Sequence, residues 1–312
     1  NYHYLVPEFS EKSEFKLNNT KPVDEFVEAK EAGYNARPVV VGPFTLLWLG
    51  KVSKDAQDPN FNRFSLLPKL TETYAELFKQ LHAAGAPWVQ VDEPILVMDT
   101  AKELAGEFKS TYESLHKAVP ELNILIATYF GRLEDNVDFV KDLPIAGLHI
   151  DLDRAPEQLD AVLKAVASTK IGLSMGLVSG RNIWKTDLSK AVELAKKAVE
   201  TIGADRVQVA SSSSLLHTPI SLANEKKLSE EVKDWFSFAT EKCGEVATIG
   251  LALQNSEAAQ EKLAANAKSI AARRDFEKNS DPAVRERVAN IKPEDFSRKS
   301  PFPHPVSYTH LT

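Results

Sequence analysis

The fold is decided by residues 147–210, which read GLHIDLDRAPEQLDAVLKAVASTKIGLSMGLVSGRNIWKTDLSKAVELAKKAVETIGADRVQVA. Three short apolar runs, GLHIDL, IGLSMGL and RVQVA, alternate here with two stretches of helical period. Each run is nearly continuous in apolar residues, which is typical of strands buried on both faces of a parallel sheet. The stretch therefore predicts successive strand–helix units.

The two helical stretches have clear boundaries. Within Leu188–Ile202, apolar residues recur at helical spacing and form one stripe. Asp187 is the predicted N-cap of this helix, and Gly203 is its predicted stop. The other helix, Glu157–Ser168, follows Pro156, whose missing N–H costs little at a helix start.

The same alternation extends towards the start of the chain. Further strands are predicted at Arg37–Gly42, Trp88–Asp92 and Ile124–Tyr129, and further helices at Leu67–Ala84 and Ala101–Val119. Six strand–helix units in a row favour an α/β fold of the (βα)8 TIM-barrel type, although an open doubly wound sheet remains an alternative. Because Asn1–Val6 already has strand character, we expect the barrel to be N-terminally truncated, with its first strands missing. No glycine-rich phosphate-binding motif follows a strand.

The C-terminal quarter has a different pattern. Lys227–Leu253 predicts one long helix, in which Cys243 is a small core residue. Ala259–Arg274 predicts a second helix on the surface. We place the barrel domain at residues 1–300 and interpret residues 301–312 as a disordered or foreign tail.

Composition narrows the function classes. The net charge of −6 argues against nucleic acid or an anionic membrane as the main partner. No apolar run approaches the roughly 20 residues of a membrane span. A single cysteine excludes a disulfide within the chain and a site with several thiolates. We expect a cytoplasmic protein.

In a barrel, functional groups gather at the carboxyl ends of the strands. Asp92 and Glu93 end one strand as adjacent carboxylates, which suit binding of a cationic amine or acid–base chemistry. The structural alternative is that one faces the mouth and caps a loop while the other forms an ion pair. Since neighbours on a strand point to opposite faces, both cannot enter one site without a bend.

Two other strand ends carry polar groups. His149 and Asp151 are two residues apart and share a face, so with a third ligand they would begin a metal site, although a hydrogen-bonded core histidine is favoured. Ser211–Ser214, followed by His217, lacks the strained elbow of a serine hydrolase. We expect its hydroxyls to satisfy backbone groups at a turn.

Seven motifs, in order along the chain, resemble the cobalamin-independent methionine synthase family, and fungal members in particular. The motifs are NYHYLVPEF (1–9), RPVVVGPFTLLWLGK (37–51), VQVDEPILVMD (89–99), ATYFG (127–131), GLHIDL (147–152), GRNIWK (180–185) and ASSSSLLHTPISL (210–222). The resemblance runs from Asn1 to about Ser300 and implies the N-terminal of the family's two barrels.

The resemblance implies a methyltransferase of methionine biosynthesis. The family moves a methyl group from 5-methyltetrahydropteroyl polyglutamate to homocysteine without cobalamin. Zinc in its C-terminal catalytic barrel binds homocysteine as the thiolate, which is the nucleophilic form. The folate binds near the junction of the two barrels.

The resemblance also bears on individual positions. The zinc ligands of the catalytic barrel align with Thr128, Phe130, Asp151 and Ser213, so it implies neither catalytic residues nor a metal site in this chain. The asparagine of the N-Y-H-Y motif, Asn1, is implied as a folate-side substrate contact, and His3 is a weaker candidate.

Three functions follow as alternatives. In the first, the chain is an inactive part of the methyltransferase that supports folate binding and the catalytic barrel. In the second, it is a non-catalytic folate-binding or scaffold module. The third, a barrel glycosidase using Asp92 or Glu93 with Asp151, leaves the ordered motifs unexplained.

Overall fold

The computed structural model describes residues 5–276 and 281–297. Its strands, in chain order, are β1 (Glu8–Phe9), β2 (Val39–Val41), β3 (Lys51–Val52), β4 (Trp88–Asp92), β5 (Asn123–Ala127), β6 (Gly147–Asp151), β7 (Gly172–Val178) and β8 (Val207–Ser211). Six of them form one parallel sheet in the order β2-β4-β5-β6-β7-β8, and β1 pairs with β3 in a small parallel sheet. Every predicted strand from Arg37 onward is present.

Helices lie between and after the strands, and the helix Pro282–Ala289 is exposed along its whole length. They are α1 (Lys21–Glu31), α2 (Pro43–Leu49), α3 (Leu67–Ala83), α4 (Ala105–Ala118), α5 (Val137–Val140), α6 (Leu159–Val166), α7 (Leu188–Ile202), α8 (Glu230–Lys233), α9 (Ala239–Leu253), α10 (Glu257–Asp275) and α11 (Pro282–Ala289). No helix among the described residues has the length and apolar character needed to cross a bilayer.

Burial explains why the central strands lacked a clear alternation in the sequence. All five residues of β6 are buried, and so are six of the seven residues of β7. One face of each strand packs under the helices, and the other faces the inside of the curved sheet. The prediction of strands covered on both faces is confirmed for β6 and β7. It is wrong for the edge strands β2 and β8, which keep exposed or half-buried residues.

Helix α7 has the boundaries that the sequence predicted. The side chain of Asp187 accepts a hydrogen bond from the backbone N–H of Lys190, which caps the helix start. Gly203 ends the helix with φ of 90°, a left-handed conformation that glycine adopts without strain.

The two outer strands, β2 and β8, approach each other as the sheet curls. Arg37, just before β2, donates a hydrogen bond of 3.0 Å to Oε1 of Gln208 in β8. The described residues give no ladder between these strands, and Val39 and Val41 of β2 remain exposed. The architecture is a curved parallel sheet wrapped by helices, with polar side chains at the carboxyl ends of the strands.

The prediction of a single helix over Lys227–Leu253 is wrong. The chain forms the short α8, then an extended piece, and only then α9. In the extended piece, the N–H of Ser237 bonds to the carbonyl of Ile183, and Phe236 forms a β-bridge with Trp184. Phe236 therefore packs on the loop after β7 and is not part of a helix.

The expectations for Cys243, for the first residues and for the tail have different outcomes. Cys243 is exposed on α9 rather than part of the core, because the buried face of that helix carries other residues, such as Thr248 and Ile249. Residues 5–7 form no strand, and residues 1–4 and the tail at 301–312 lie outside the described residues.

The second predicted C-terminal helix is present as α10, and one face of it contacts the body of the fold. Asn266 accepts from the N–H of Leu188 and donates to the carbonyl of Thr186, so it ties α10 to the start of α7.

Candidate functional site

The polar side chains at the strand ends surround one cavity of about 520 Å3 inside the curved sheet. The cavity is lined by several of the residues predicted at the strand ends, namely Asp92, Tyr129, His149 and part of the serine run. Parallel strands place their carboxyl ends at the same edge of a sheet, which is why distant segments meet here.

Asp92 and Glu93 point to opposite sides of the sheet, as strand geometry predicts. Asp92 lines the inner cavity. Glu93 is fully buried on the other side, against α2 and α4. The pair therefore cannot act together at one site.

Glu93 holds the start of α2. Its Oε1 accepts from the N–H of Phe44 (3.1 Å) and the hydroxyl of Tyr112 (3.2 Å), and its Oε2 from the N–H and hydroxyl of Thr45 (2.8 and 2.6 Å). A Cβ on Gly42 would lie 2.0 Å from this carboxyl group, so the position requires glycine. Burial raises the pKa of Glu93 to about 7, although these hydrogen bonds oppose the shift.

The structural alternative gave one of the two carboxylates an ion pair, and this expectation is wrong. Each of its four contacts is a hydrogen bond from an uncharged donor, and no ion pair to either carboxylate occurs within residues 5–276 and 281–297. Glu93 is a structural clamp between β4 and the turn that follows β2.

Asp92 belongs to a small network that sequence reasoning missed. Its Oδ1 accepts from the amide of Gln90 (2.9 Å) and the hydroxyl of Tyr129 (2.8 Å). Burial raises the pKa of Asp92, and the two hydrogen bonds oppose that shift. Gln90 lies two residues before Asp92 on one strand, so the shared face was visible in the sequence.

His149 is the buried, hydrogen-bonded histidine that the sequence favoured. Its Nε2 lies 3.2 Å from the carbonyl of Ser212, and its Nδ1 lies 2.9 Å from the hydroxyl of Ser174. A carbonyl only accepts, so Nε2 carries the proton and Nδ1 accepts from Ser174. Burial lowers the pKa of His149 to about 4, which keeps the ring neutral and makes it a weak base near pH 7.

Asp151 caps the turn that follows β6. Its Oδ1 accepts from the N–H groups of Asp153 and Arg154, and its Oδ2 accepts from the N–H of Phe130. Both oxygens are therefore occupied by backbone donors. Because Glu93 is buried as well, the carboxylate pairs needed for the glycosidase alternative do not face a common site.

The positions aligned with zinc ligands do not fit a metal. The hydroxyl of Thr128 bonds to the carbonyl of His149, and the half-exposed ring of Phe130 offers no donor atom. Ser213 is buried, and a Cβ on Gly180 would lie 2.5 Å from its carbonyl oxygen. The described part of the chain contains no group of three histidine, cysteine or acidic residues placed to hold a metal.

The serine run satisfies backbone groups, as expected. The hydroxyl of Ser212 accepts from the N–H of Gly180 (3.1 Å), and that of Ser214 accepts from the N–H of Leu216 (3.2 Å). Asn1 and His3, the two substrate contacts implied by resemblance, lie outside the described residues, so their assignment stays a prediction.

Fold and site together define an α/β protein of the barrel class whose strand-end groups are engaged mainly in structural hydrogen bonds. Residues 1–203 match the family model described as the N-terminal domain of cobalamin-independent synthase. The chain belongs to the cobalamin-independent methionine synthase family.

Curated relatives agree with this assignment, and fungal proteins are among them. The chain is 47% identical over 302 residues to 5-methyltetrahydropteroyltriglutamate–homocysteine methyltransferase of Saccharomyces cerevisiae, and 47% identical over 307 residues to that of Candida albicans. Each match covers 97% of this chain and 39% of the relative. The chain thus spans about two fifths of the length of these relatives.

Solved structures support the fold. A B12-independent methionine synthase from Shewanella sp. W3-18-1, in complex with selenomethionine, superposes with a TM-score of 0.54 at 15% identity. The match covers 77% of this chain and 67% of that one. At this level of identity, the similarity shows only that the two proteins share the barrel-type fold.

Proposed function

We propose that this chain is the N-terminal part of a methyltransferase that makes methionine from homocysteine and 5-methyltetrahydropteroyl polyglutamate. The observation that carries the proposal is the 47% identity, over 97% of the chain, to fungal proteins named for this reaction. Residues 1–300 form the barrel domain in this proposal, and residues 301–312 a tail.

We further propose that the chain alone does not transfer the methyl group. The positions aligned with zinc ligands hold a threonine, a phenylalanine and a serine, and the fourth, Asp151, is occupied by three backbone donors. The aligned positions therefore supply no set of ligands for a zinc ion that would stabilise the thiolate form of homocysteine. Zinc belongs to a separate catalytic barrel in this account, and cobalamin has no part in the reaction.

In this proposal, the chain supports the binding of the folate and packs against the catalytic barrel. Asn1 and His3 contribute to the folate side of the substrate site, and the mouth of the barrel packs against the catalytic barrel. The loops after the strands carry exposed apolar side chains that suit such packing, and we name them the mouth rim: Met98, Phe130, Trp184, Leu216 and Ile220. The complex acts in the cytoplasm.

Metal analysis and an activity assay of the purified chain test the division of labour. We expect less than stoichiometric zinc and no methionine formed from homocysteine and 5-methyltetrahydropteroyltriglutamate when zinc is added. Stoichiometric zinc, or turnover that survives further purification, would overturn the proposal that catalysis lies elsewhere.

The folate contacts need their own measurement. Binding of 5-methyltetrahydropteroyltriglutamate to the chain together with its catalytic barrel is expected to weaken in Asn1→Ala, and less in His3→Ala. The matched control is Asn19→Ala, an exposed asparagine upstream of α1. Equal affinity for the Asn1 variant and the control would remove Asn1 from the site.

A further inference from the structure

A second pocket lies among the helices of the C-terminal part of the chain. It has a volume of about 650 Å3 and is lined by residues of α8, α9 and α10, by Lys185, by the first residue of α7, and by parts of the chain between β8 and α9. None of these residues belongs to the edge strands β2 and β8, and none lines the cavity inside the sheet. We call this second space the helix pocket.

Hydrogen bonds between distant parts of the chain hold the wall of the helix pocket in place. The backbone N–H of Thr186 donates to Oε1 of Glu245 (3.1 Å), and its carbonyl accepts from the side-chain amide of Asn266 (2.9 Å). The N–H of Ser237 donates to the carbonyl of Ile183 (2.8 Å). The start of α7, the two long helices α9 and α10, and the segment before α9 are thus fastened to one another around this space.

Two oxygen atoms of this wall are left without a partner. Glu245 is only 8% exposed and Ser237 is fully buried, yet Oε2 of Glu245 and the hydroxyl of Ser237 form no hydrogen bond within the described residues. The two groups are neighbours, because the hydroxyl opposes the rise that burial causes in the pKa of Glu245, although it does not reach normal hydrogen-bond geometry. Buried polar atoms in this state cost free energy, so a donor placed between them would be stabilising.

The charge of Glu245 has no direct counter-ion either. The buried Lys242 favours the ionised carboxylate, but its Nζ bonds to the carbonyl of Trp184 (3.0 Å), and residues 5–276 and 281–297 give no ion pair between Lys242 and Glu245. The lining of the helix pocket includes four carboxylates and three lysines, which leaves one excess negative charge. A ligand with a single positive charge would balance it.

We propose that the helix pocket binds a small primary monoamine, whose ammonium group donates to Oε2 of Glu245 and to the hydroxyl of Ser237. An ammonium group has three donors and no acceptor, which matches two oxygens without partners. The short apolar chain of the amine would lie along Leu188, Leu222 and Phe236, which line the same pocket. The inference goes beyond the proposed function, since it requires no methyl transfer and no catalytic barrel.

Other occupants fit the helix pocket less well. A water molecule would bridge the two oxygens, but it would leave the excess charge unbalanced and would fill only about 30 Å3. A bare monovalent cation would balance the charge and leave the apolar part of the wall without a contact. An anion would be repelled by Glu245, and a neutral alcohol would bring one donor and no charge.

An NMR titration of the full chain, in phosphate buffer free of amines, tests the proposal. The probe is n-butylammonium chloride. Its matched probes are 1-butanol, which lacks the charge, and butyltrimethylammonium chloride, which keeps the charge and lacks every N–H donor. We expect saturable binding of butylammonium that shifts the amide signals of Thr186 and Gly244, with an affinity at least about tenfold above that of either matched probe.

A variant assigns the ammonium contact. Glu245→Gln keeps Oε1 for the N–H of Thr186 and removes the charge and the free acceptor, so the affinity for butylammonium should fall by about tenfold or more. The affinity for 1-butanol should change little. Glu257→Gln, at the exposed first residue of α10 and outside the pocket lining, is the matched control and should behave as the parent chain.

Each outcome decides the proposal. Saturable binding at Thr186 and Gly244, with the expected preference for butylammonium and the loss in Glu245→Gln, supports it. No saturable binding at about 50 mM, equal binding of the matched probes, shifts confined to other parts of the chain, or an unchanged affinity in Glu245→Gln would overturn it. If Glu245→Gln does not fold, the probe comparison and the position of the shifted signals on the parent chain decide.

Discussion

The two sides of strand β4 treat neighbouring carboxylates in opposite ways. On the outer side, Glu93 is fully buried and accepts four hydrogen bonds, which fasten β4 to α2 and α4. On the inner side, Asp92 lines a polar cavity, and its Oδ1 accepts two hydrogen bonds while its Oδ2 has no hydrogen-bond partner among the described residues. A dipeptide that resembles a catalytic pair in the sequence is thus a structural clamp on one side of the strand and a cavity-lining group on the other.

The difference teaches how to distinguish a structural carboxylate from an available one. Burial raises the pKa of both groups, so the pKa alone does not separate them. What separates them is the number of protein donors that occupy their oxygens. We order four predictions from the largest expected effect to the smallest; three test this contrast, and one tests the mouth rim.

Removing the clamp should give the largest effect. Glu93→Ala leaves the N–H groups of Phe44 and Thr45, and the hydroxyls of Thr45 and Tyr112, without their acceptor in a dry environment. We expect the free energy of unfolding in urea to fall by about 3–5 kcal/mol. Glu113→Ala, an exposed position on the same helix as Tyr112, is the control and should change it by less than about 0.5 kcal/mol. Equal effects for the two would show that Glu93 is no clamp.

The clamp should also have a pH signature. The pKa of Glu93 is raised to about 7, so its protonated form stabilises the fold at low pH, and this stabilisation is lost as the pH rises from about 4.5 to 7. His149, whose pKa is lowered to about 4, acts in the opposite direction, since it stabilises above pH 6.5 and loses this as the pH falls. Because the two groups act in opposite directions, we compare the parent chain with a variant in which position 93 does not titrate.

The stability of the parent chain relative to Glu93→Gln should decrease by about 3 kcal/mol between pH 4.5 and 7.5, because glutamine does not titrate. Urea unfolding of both chains across this range measures the difference. A difference that does not change with pH would mean that Glu93 is ionised throughout.

Changes at the mouth rim should affect association and not folding. Leu216→Asp alters a side chain that is 82% exposed, so the unfolding free energy of the chain alone should shift by less than about 0.5 kcal/mol. We expect the affinity for the separately produced remainder of the Saccharomyces cerevisiae relative, which we propose to hold the catalytic barrel, to fall by about tenfold. Val284→Asp on α11, an exposed apolar residue that is not one of the rim residues, is the matched control. If both variants bind equally, the rim is not the interface.

Neutralising the inner carboxylate should give the smallest effect on stability. Asp92→Asn keeps an oxygen acceptor for Gln90 and Tyr129 and removes a partly desolvated charge that has no counter-ion within residues 5–276 and 281–297. We expect a change in unfolding free energy below about 1 kcal/mol, in the stabilising direction. A loss comparable to that of Glu93→Ala would place Asp92 in the same structural class and end the contrast.

Much of the fold was visible in the sequence. The strands of the parallel sheet were predictable because residues buried on both faces form continuous apolar runs, as in β6 and β7. The segment before α9 was not, because Trp235, Phe236 and Phe238 are apolar in either conformation. Contacts with residues far away in the sequence hold the extended form, namely the bridge of Phe236 with Trp184 and the hydrogen bond from the N–H of Ser237 to the carbonyl of Ile183.

The site was predictable in part. The opposite orientation of Asp92 and Glu93 followed from strand geometry, and the structural roles of the serines from their position at a turn. The contribution of Arg37 was not visible, because it depends on the curl of the sheet that brings the start of β2 next to Gln208 in β8. Local patterns carry no information on such closure.

The central claim is that this chain supports catalysis located in another barrel, and reconstitution tests it most directly. The chain is mixed with the separately produced remainder of the Saccharomyces cerevisiae relative, which we propose to be the catalytic part. Methionine formation from homocysteine and 5-methyltetrahydropteroyltriglutamate is then measured with zinc present. The account predicts no activity for this chain alone and activity of the mixture above that of the catalytic part alone. Turnover by this chain alone, or a mixture no more active than the catalytic part, would contradict it.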